Sequence, residues 1–560
     1  MKVARTLFLL YFLLLSVYNS VAQPRIDSYK LITGKAKEYH KSEWDIQVSA
    51  AFGNAYDQAD ISLDMAITSP SGKPILLPCY FDSGDGEASV WKARFTPQET
   101  GKYSYHFILH SQGKEAVSAK AAFDAGPGDG KGFLHKNNLW TFKYDNGELF
   151  RGIGENVGWE SRSFEKDKWT YDYLLPKLSS NGANFFRTWM CYWNLPLEWK
   201  KVNSTKRYSN SDAYYNPGAI KRMDELVNLT DSLNLKFMLT MDWHGHLMEG
   251  GGWKNSNYNA VNGGPAKTPT EYFTSQKARA MYKNKLRYIV ARWGYSTSIA
   301  AFEFFNEVDN AAFNGADSVL IPLHYITEWH DDMSRYLKDI DPYRHLVTTS
   351  VSHRDIPGMN SIACIDFNQK HIYKHTEKIP GIYWNYINGF GKPYVVGEFG
   401  YRWEDDDRKY AAEADYDFKR GLWYGLFSPC PILPMSWWWE MFDEQNMEPY
   451  FKGVRQISDE MLKAGRGSFE QFDVSSGNIE SYGVKCGNKY FIYLLNNTDS
   501  TVSTAVSFAA AGKNCIISYF DPNDRSTQPG GKTTVQASKI VIGGFSLPAK
   551  KEKLIVVTAN

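Results

Sequence analysis

Ile299-Ala300-Ala301-Phe302-Glu303-Phe304-Phe305-Asn306-Glu307 is the stretch that decides the fold. It reads as an apolar strand that ends on an amide and a carboxylate. Before it, a helix from about Glu271 turns Met281, Leu286, Ile289, Val290 and Trp293 inward, with Gly294 as its stop. After it, a second helix carries Ile326, Trp329, Met333, Leu337 and Ile340 and ends at Asp341-Pro342. His345-Leu346-Val347-Thr348-Thr349 is then the next strand. Upstream, Asn216-Pro217 opens a helix whose apolar face is Ile220, Met223, Leu226, Val227 and Leu233, and strand Leu235-Lys236-Phe237-Met238-Leu239 follows at once. Strand–helix units repeated over residues 131–465 require parallel strands and right-handed crossovers. The length suits a central (β/α)8 barrel with long loops. Its strands are predicted near residues 149–153, 184–189, 235–241, 300–306, 345–350, 363–368, 393–397 and 433–437. An open doubly wound sheet would want a Gly-rich phosphate loop after an early strand, and none is present.

The flanks read differently. In residues 23–126, Trp44-Asp45-Ile46-Gln47-Val48 and Ile61-Ser62-Leu63-Asp64-Met65 alternate at period two, and Gly-bearing turns separate short strands. A β-sandwich is expected there, closed by the linker Gly126-Pro127-Gly128-Asp129-Gly130. From 470 to 560, strands such as Tyr490-Phe491-Ile492-Tyr493-Leu494-Leu495 and Lys539-Ile540-Val541-Ile542 predict a second sandwich. At the start, Lys2 and Arg5 precede an apolar run from Leu7 to Leu15, and Ser20-Val21-Ala22 offers small residues for cleavage before Gln23. Residues 1–22 are therefore expected to be a cleaved export signal, placing the chain in the periplasm or outside the cell. The run is short for a membrane span and no second one follows, so no membrane insertion is expected.

Lys+Arg 63 against Asp+Glu 62 argues for no nucleic-acid partner. Aromatic residues reach 15 %, with 18 Trp and 36 Tyr, which fits thick packing or a cleft lined with rings that stack on sugars. The cysteines at 79, 191, 364, 430, 486 and 515 form no CxxC pairs, so no zinc site is expected. Cys486 and Cys515 are the one pair worth considering as a disulfide, against isolated buried thiols. Oligomeric state is not legible.

Barrel enzymes place their chemistry at the C-terminal strand ends. Strand four ends Asn306-Glu307, and strand seven ends Val395-Val396-Gly397-Glu398. Two carboxylates thus point into one mouth from remote parts of the chain. A glycosidic bond needs such a pair, one to protonate the leaving oxygen and one to attack the anomeric carbon. Arg187, ending strand two, is placed to hold Glu398 ionised by a charge-assisted hydrogen bond. A plain salt bridge is the alternative. His244 follows strand three and reads either as a sugar-hydroxyl ligand or as a loop anchor. His371 and Tyr373 follow strand six, and a Tyr there would hydrogen-bond the nucleophile. Strand eight runs into Ser436-Trp437-Trp438-Trp439-Glu440, and Trp437 or Trp438 is expected to form the floor under the sugar.

This constellation resembles glycoside hydrolase clan A, the retaining barrel enzymes with an Asn-Glu acid/base after strand four and a Glu nucleophile after strand seven. The resemblance covers the whole central region. It implies that Asn306 meets a substrate 2-hydroxyl, that Glu307 is the acid/base and that Glu398 is the nucleophile. Arg187, His371 or Tyr373, and the strand-eight Trp fit the clan's supporting roles. The stretch Trp91 to Tyr105 resembles the Ig-like domain that often precedes such barrels in polysaccharide-degrading bacteria, and the C-terminal sandwich is similar to their accessory domains. A carbohydrate is the implied partner, with no cofactor and no metal. A catalytically silent carbohydrate-binding protein, or a transglycosylase, would use the same scaffold. The resemblance does not name the sugar.

Other motifs weigh less. Glu303 points inward below the site or into a structural pair. Glu404-Asp405-Asp406-Asp407 reads as a solvated loop without EF-type calcium spacing. Trp253, in the Gly-rich loop after strand three, stacks on substrate or packs. Asn203-Ser204-Thr205 and Asn228-Leu229-Thr230 match the short glycosylation tripeptide.

Overall fold

The computed structural model describes residues 23–160, 169–202, 207–248, 250–313, 320–404, 408–511 and 514–559. The expected export signal, Asn203-Ser204-Thr205 and Asp405-Asp406-Asp407 lie outside these residues. Two compact units emerge, Met1–Asp129 with Asn284–Tyr295, and Gly130–Lys283 with Ser296–Asn560.

In the first unit two sheets face each other. One runs Arg25–Leu31, Ser42–Ser49, Ser89–Phe95, Tyr80–Gly84. The other runs Ala36–Lys37, Ala121–Gly126, Gly101–Ser111, Ile61–Thr68, Pro74–Pro78. Period-two alternation buries Trp44, Ile46 and Val48 from one sheet and Leu63, Met65 and Phe107 from the other. Trp44 meets Phe123 edge-on at 5.1 Å, which locks the layers. The sequence reading ended this unit at the linker. It also takes in residues 284–295, where Arg287 pairs with Asp64 at 2.7 Å.

In the second unit five parallel strands follow in order: Gly154–Asn156, Phe185–Trp189, Lys236–Thr240, Ile299–Glu303 and Leu346–Thr348. Ser350–Val351 prolongs the fifth strand, and Asn368–Tyr373 and Tyr394–Gly400 are the sixth and seventh. Closure comes from parallel bridges of Ile432 to Gly152 and of Ser436 to both Glu155 and Phe399. The eighth staves are thus residues 432–436, held by bridges rather than by a full ladder.

Helices and caps follow local chemistry. Asn216 Oδ1 accepts from the Gly218 and Ala219 amides, and Pro217 fills the first turn of helix Pro217–Ser232. Met223, Leu226 and Val227 turn inward from it. Ile326, Trp329, Met333 and Leu337 do the same from helix Leu323–Ile340.

Two strand placements from sequence are corrected. Leu149–Phe150 is not barrel strand one. It is the last strand of a small antiparallel sheet with Leu134–Lys136 and Phe142–Tyr144. Leu134, Phe142, Tyr144 and Phe150 pack with Phe185, Met238, Ala301 and Val395 in one core cluster. The true strand one is Gly-Glu-Asn, too polar and too short to carry a periodic signal. Gly154 is needed there because a Cβ would meet the Phe185 carbonyl oxygen at 1.7 Å. Strand six lies five residues later than expected, at Asn368–Tyr373, so His371 and Tyr373 stand on it and not after it.

The C-terminal sheets pair Glu470–Phe472, Glu480–Cys486, Lys489–Leu495, Glu552–Ala559, Asn514–Phe520 and Thr527–Thr534 in one layer. Val474–Ser475, Val502–Ala509 and Lys539–Leu547 form the other. Ile492, Leu494, Val506, Phe508, Ile540 and Ile555 share the core between them. This sandwich packs on helix Ala411–Leu426, where Trp423 stacks on Tyr493 at 5.5 Å. All six cysteines are free thiols, so Cys486 and Cys515 are not bridged. No helix among the described residues is long and apolar enough to cross a membrane.

Candidate active site

Arg187 is the hub of the barrel mouth. It ends strand two, is fully buried and spends its guanidinium on four side chains. Nε and Nη2 donate to the two Glu303 oxygens at 2.6 and 2.8 Å. Nη1 donates to Glu398 Oε1 at 2.7 Å and to Asn156 Oδ1 at 3.1 Å, and Nη2 to Asn306 Oδ1 at 2.7 Å. Burial opposes the arginine's charge, but Glu303 and Glu398 outweigh it and raise its pKa. Glu303 resolves as the structural pair. Its carboxylate neutralises the arginine from beneath while Glu398 takes the remaining edge.

Glu398 also accepts from the Tyr373 hydroxyl at 2.7 Å. Burial and the Glu398 charge keep that phenol well above its ordinary pKa, so it stays a donor. Burial raises the pKa of Glu398 itself, and Glu307 adds to this, against His371, Arg187 and Tyr373. Arg187 therefore favours the ionised form as expected from sequence, but burial exceeds its effect.

Glu307 has neutral partners. Asn310 Nδ2 donates to Oε2 at 2.9 Å, and His371 Nδ1 lies 2.8 Å from Oε1. Burial pushes its pKa up to about 7, with Asp309 adding and His244, Arg187 and Asn310 opposing. Burial drops His371 to about 4, so that ring is neutral between the two carboxylates. The pair is thus differentiated: one carboxyl holds a proton near neutrality, and the other faces an arginine and a phenol.

The backbone at Glu307 has φ of 52°, a left-handed conformation for a non-glycine residue. Ser350 Oγ accepts from its amide at 3.0 Å and fixes that turn. Lys374 (φ 66°) and Trp438 (φ 53°), at the ends of strands six and eight, share the conformation. Strain gathers where strands give way to the mouth.

A cleft of about 680 Å³ opens over these groups. Glu307, Glu398, His244, His371, Tyr373 and Trp437 all line it. Trp437 is the residue of the tryptophan run that lines the cleft. Trp438 is not, because its indole donates to the Arg402 carbonyl at 2.9 Å and it stands outside the lining. Arg187 holds Glu398 as expected, from beneath the cleft and not as part of its lining. Asn306, expected at a substrate hydroxyl, is likewise buried beneath the cleft and does not line it. Asn306 is spent on Arg187 and on His244 Nδ1, 3.3 Å from its amide nitrogen. Trp253 is buried away from the lining.

One oxygen each from Glu307 and Glu398 and one nitrogen of His371 lie within 4.8 Å of one another. That spacing would admit a metal ion, but the guanidinium on Glu398 places a fixed cation at the same carboxylate. Proton transfer and nucleophilic attack suit this donor set better.

Residues 35–109 match a family model described as a domain of unknown function, DUF5060. Mannan endo-1,4-beta-mannosidase A of Aspergillus aculeatus is 24% identical over 265 residues, 41% of this chain and 64% of that enzyme. Its namesake from Hypocrea jecorina is 24% identical over 287 residues, 44% of this chain and 59% of that enzyme. The match thus spans less than two thirds of either relative's length. A putative glycoside hydrolase of Bacteroides vulgatus shares the fold with a TM-score of 0.66 at 13% identity, covering 94% of this chain and 99% of that one. A glycoside hydrolase family 5 protein from the same organism gives 0.55 at 13% identity, covering 77% and 94%.

The chain resembles the clan A glycoside hydrolases in sequence and fold. Several residues that line the cleft escaped the sequence reading: Trp189, Asn310, Arg354, Lys374 and Trp403. Asn310 had a usable signal, since it stands three residues after Glu307, one turn along helix Val308–Phe313. Arg354 and Trp403 had none, because they sit in loops without period.

Proposed function

We propose that the protein is a retaining glycoside hydrolase that cleaves β-glycosidic bonds in a poly- or oligosaccharide by double displacement. The observation that carries this reading is the approach of Glu307 and Glu398 to within 4.8 Å across one cleft. Retaining pairs stand about 5–5.5 Å apart, whereas inverting pairs leave room for water at about 6.5–9.5 Å. Glu398 attacks the anomeric carbon while Glu307 gives its proton to the leaving oxygen. With Glu398 esterified, the repulsion it exerts on an ionised Glu307 is gone. Glu307 then takes a proton from water, which attacks the same carbon and frees Glu398. Arg187 and Tyr373 hold the nucleophile in line, and Trp437 offers a flat face under the sugar. The export signal read at residues 1–22 supports action in the periplasm or outside the cell.

The relatives act on mannan, so β-1,4-mannan is the first polymer to assay, beside other β-glycans and aryl β-glycosides. Glu398→Gln is expected to lower turnover by about 10⁴-fold or more. Glu307→Ala is expected to spare glycosylation by activated aryl glycosides and to regain turnover with azide. Full activity in Glu398→Gln ends the assignment.

A further inference from the structure

The cleft wall beside Glu307 carries a cation that meets no carboxylate among the described residues. Ser352, His353 and Arg354 follow strand five and line the cleft next to Asn310. Arg354 is partly buried. Its guanidinium stacks on Phe313 at 4.5 Å and reaches Asn310 Oδ1 only loosely, at 3.5 Å. Among the described residues no carboxylate lies at ion-pair distance from it. Lys374, the other cation of the cleft, is already paired with Glu404.

The arginine is held there by construction. Asp309 is fully buried and collects its loop. It accepts from the Ser352 amide at 2.7 Å, the Ser352 hydroxyl at 2.6 Å and the Arg354 amide at 3.2 Å. Asn310 links the loop to the chemistry, with Nδ2 on Glu307 Oε2 at 2.9 Å and Oδ1 towards Arg354. The cation therefore approaches the reaction from the side of Glu307, the group that protonates the leaving oxygen. A half-buried guanidinium with unused donors costs desolvation unless an acceptor arrives, and its fork matches planar or tetrahedral oxyanions.

We infer that Arg354 is a specificity-determining residue that pairs with an anionic substituent, a carboxylate or a sulfate, on the sugar of the leaving-group side. The inference rests on the glycosidase reading above, because that reading fixes which side Glu307 serves. It makes the substrate an acidic β-glycan.

The full chain is assayed on four polymers: a β-mannan bearing glucuronic acid, its carboxyl-reduced form, a sulfated β-mannan and its unsulfated parent. At least one acidic polymer is expected to exceed its neutral counterpart in kcat/KM by about 10- to 100-fold, mainly through KM. The preference should shrink in about 0.5 M NaCl. Arg354→Gln should bring the ratio towards one, and Arg354→Lys should retain part of it. Preference in the uronate pair alone identifies a carboxylate, and preference in the sulfate pair alone a sulfate. A wild-type ratio near one, or an undiminished ratio in Arg354→Gln, overturns the inference. Affinity electrophoresis in gels holding the same polymers reads binding without turnover. Retardation by an acidic gel that Arg354→Gln loses supports the inference even with no hydrolysis, and that result sinks the glycosidase reading alone. No retardation by either acidic polymer overturns the inference.

Discussion

Glu307 and Glu398 are the same side chain in two environments. Burial, with the Asp309 charge adding, holds Glu307 at a pKa of about 7, while Glu398 meets a guanidinium and a phenol at 2.7 Å each. An acid must carry its proton to serve, so a raised pKa extends activity upward in pH and ends it as pH rises through about 7. The kcat/KM profile on substrates with poor leaving groups is expected to show an alkaline limb there. In Glu307→Ala, assayed on an activated aryl glycoside that needs no acid, that limb should vanish. An unchanged limb would assign the proton to another group. Glu398 was legible at this scale because an apolar strand delivers it, and so was Glu307. The partners that separate their pKa values were less so: Asn310 stands one turn after Glu307, but its spacing does not say that the amide turns to the carboxyl.

Elements position these residues through buried polar clamps. Helix Val308–Phe313 begins one residue after Glu307, and its Asp309 gathers the loop after strand five. Asp309→Ala leaves those buried donors without an acceptor, at a cost of about 1–3 kcal/mol. A fall in the denaturant midpoint is expected, and an unchanged midpoint would show the clamp to be redundant. The loop after strand three has its own clamp. His246 lies 2.8 Å from Asp242 and 2.7 Å from the Ser256 hydroxyl. The order of groups resembles a nucleophilic triad, yet Ser256 is fully buried and its oxygen also accepts the Tyr258 amide. It anchors a loop. Strand one shows the limit of periodicity: Gly154–Asn156 is three residues of mixed polarity, and only its neighbours make it a strand.

Across the second unit, the barrel and the C-terminal sandwich meet at a carboxylate. Glu552 accepts hydroxyl hydrogen bonds from Tyr450 and Tyr493. Burial pushes its pKa up to about 7, against both hydroxyls and Lys419, with Asp521 adding. Below the unfolded value of 4.5 both states hold the proton and its contribution to stability is complete. Between 4.5 and about 7 only the fold keeps it, so stability falls as pH rises and the loss is complete above 7. The side chain is partly exposed, which limits the effect to ~2 kcal/mol. Glu552→Gln should therefore gain thermal midpoint relative to wild type on going from pH 4.5 to pH 8. Equal differences at both values would place the pH sensitivity elsewhere.

Hydrophobic periodicity by itself determined the strand–helix alternation, the sandwiches on either flank and the two carboxylates at strand ends, because burying apolar faces leaves a mark at every turn of the chain. Only the tertiary structure decided which polar groups meet. Arg187, read from sequence towards Glu398, also takes up Glu303, Asn156 and Asn306, Arg354 reaches the cleft through a loop, and Trp437 rather than Trp438 lines it. Such pairings are fixed by ring closure and by the demand that each buried donor find an acceptor, and neither leaves a local signature in sequence.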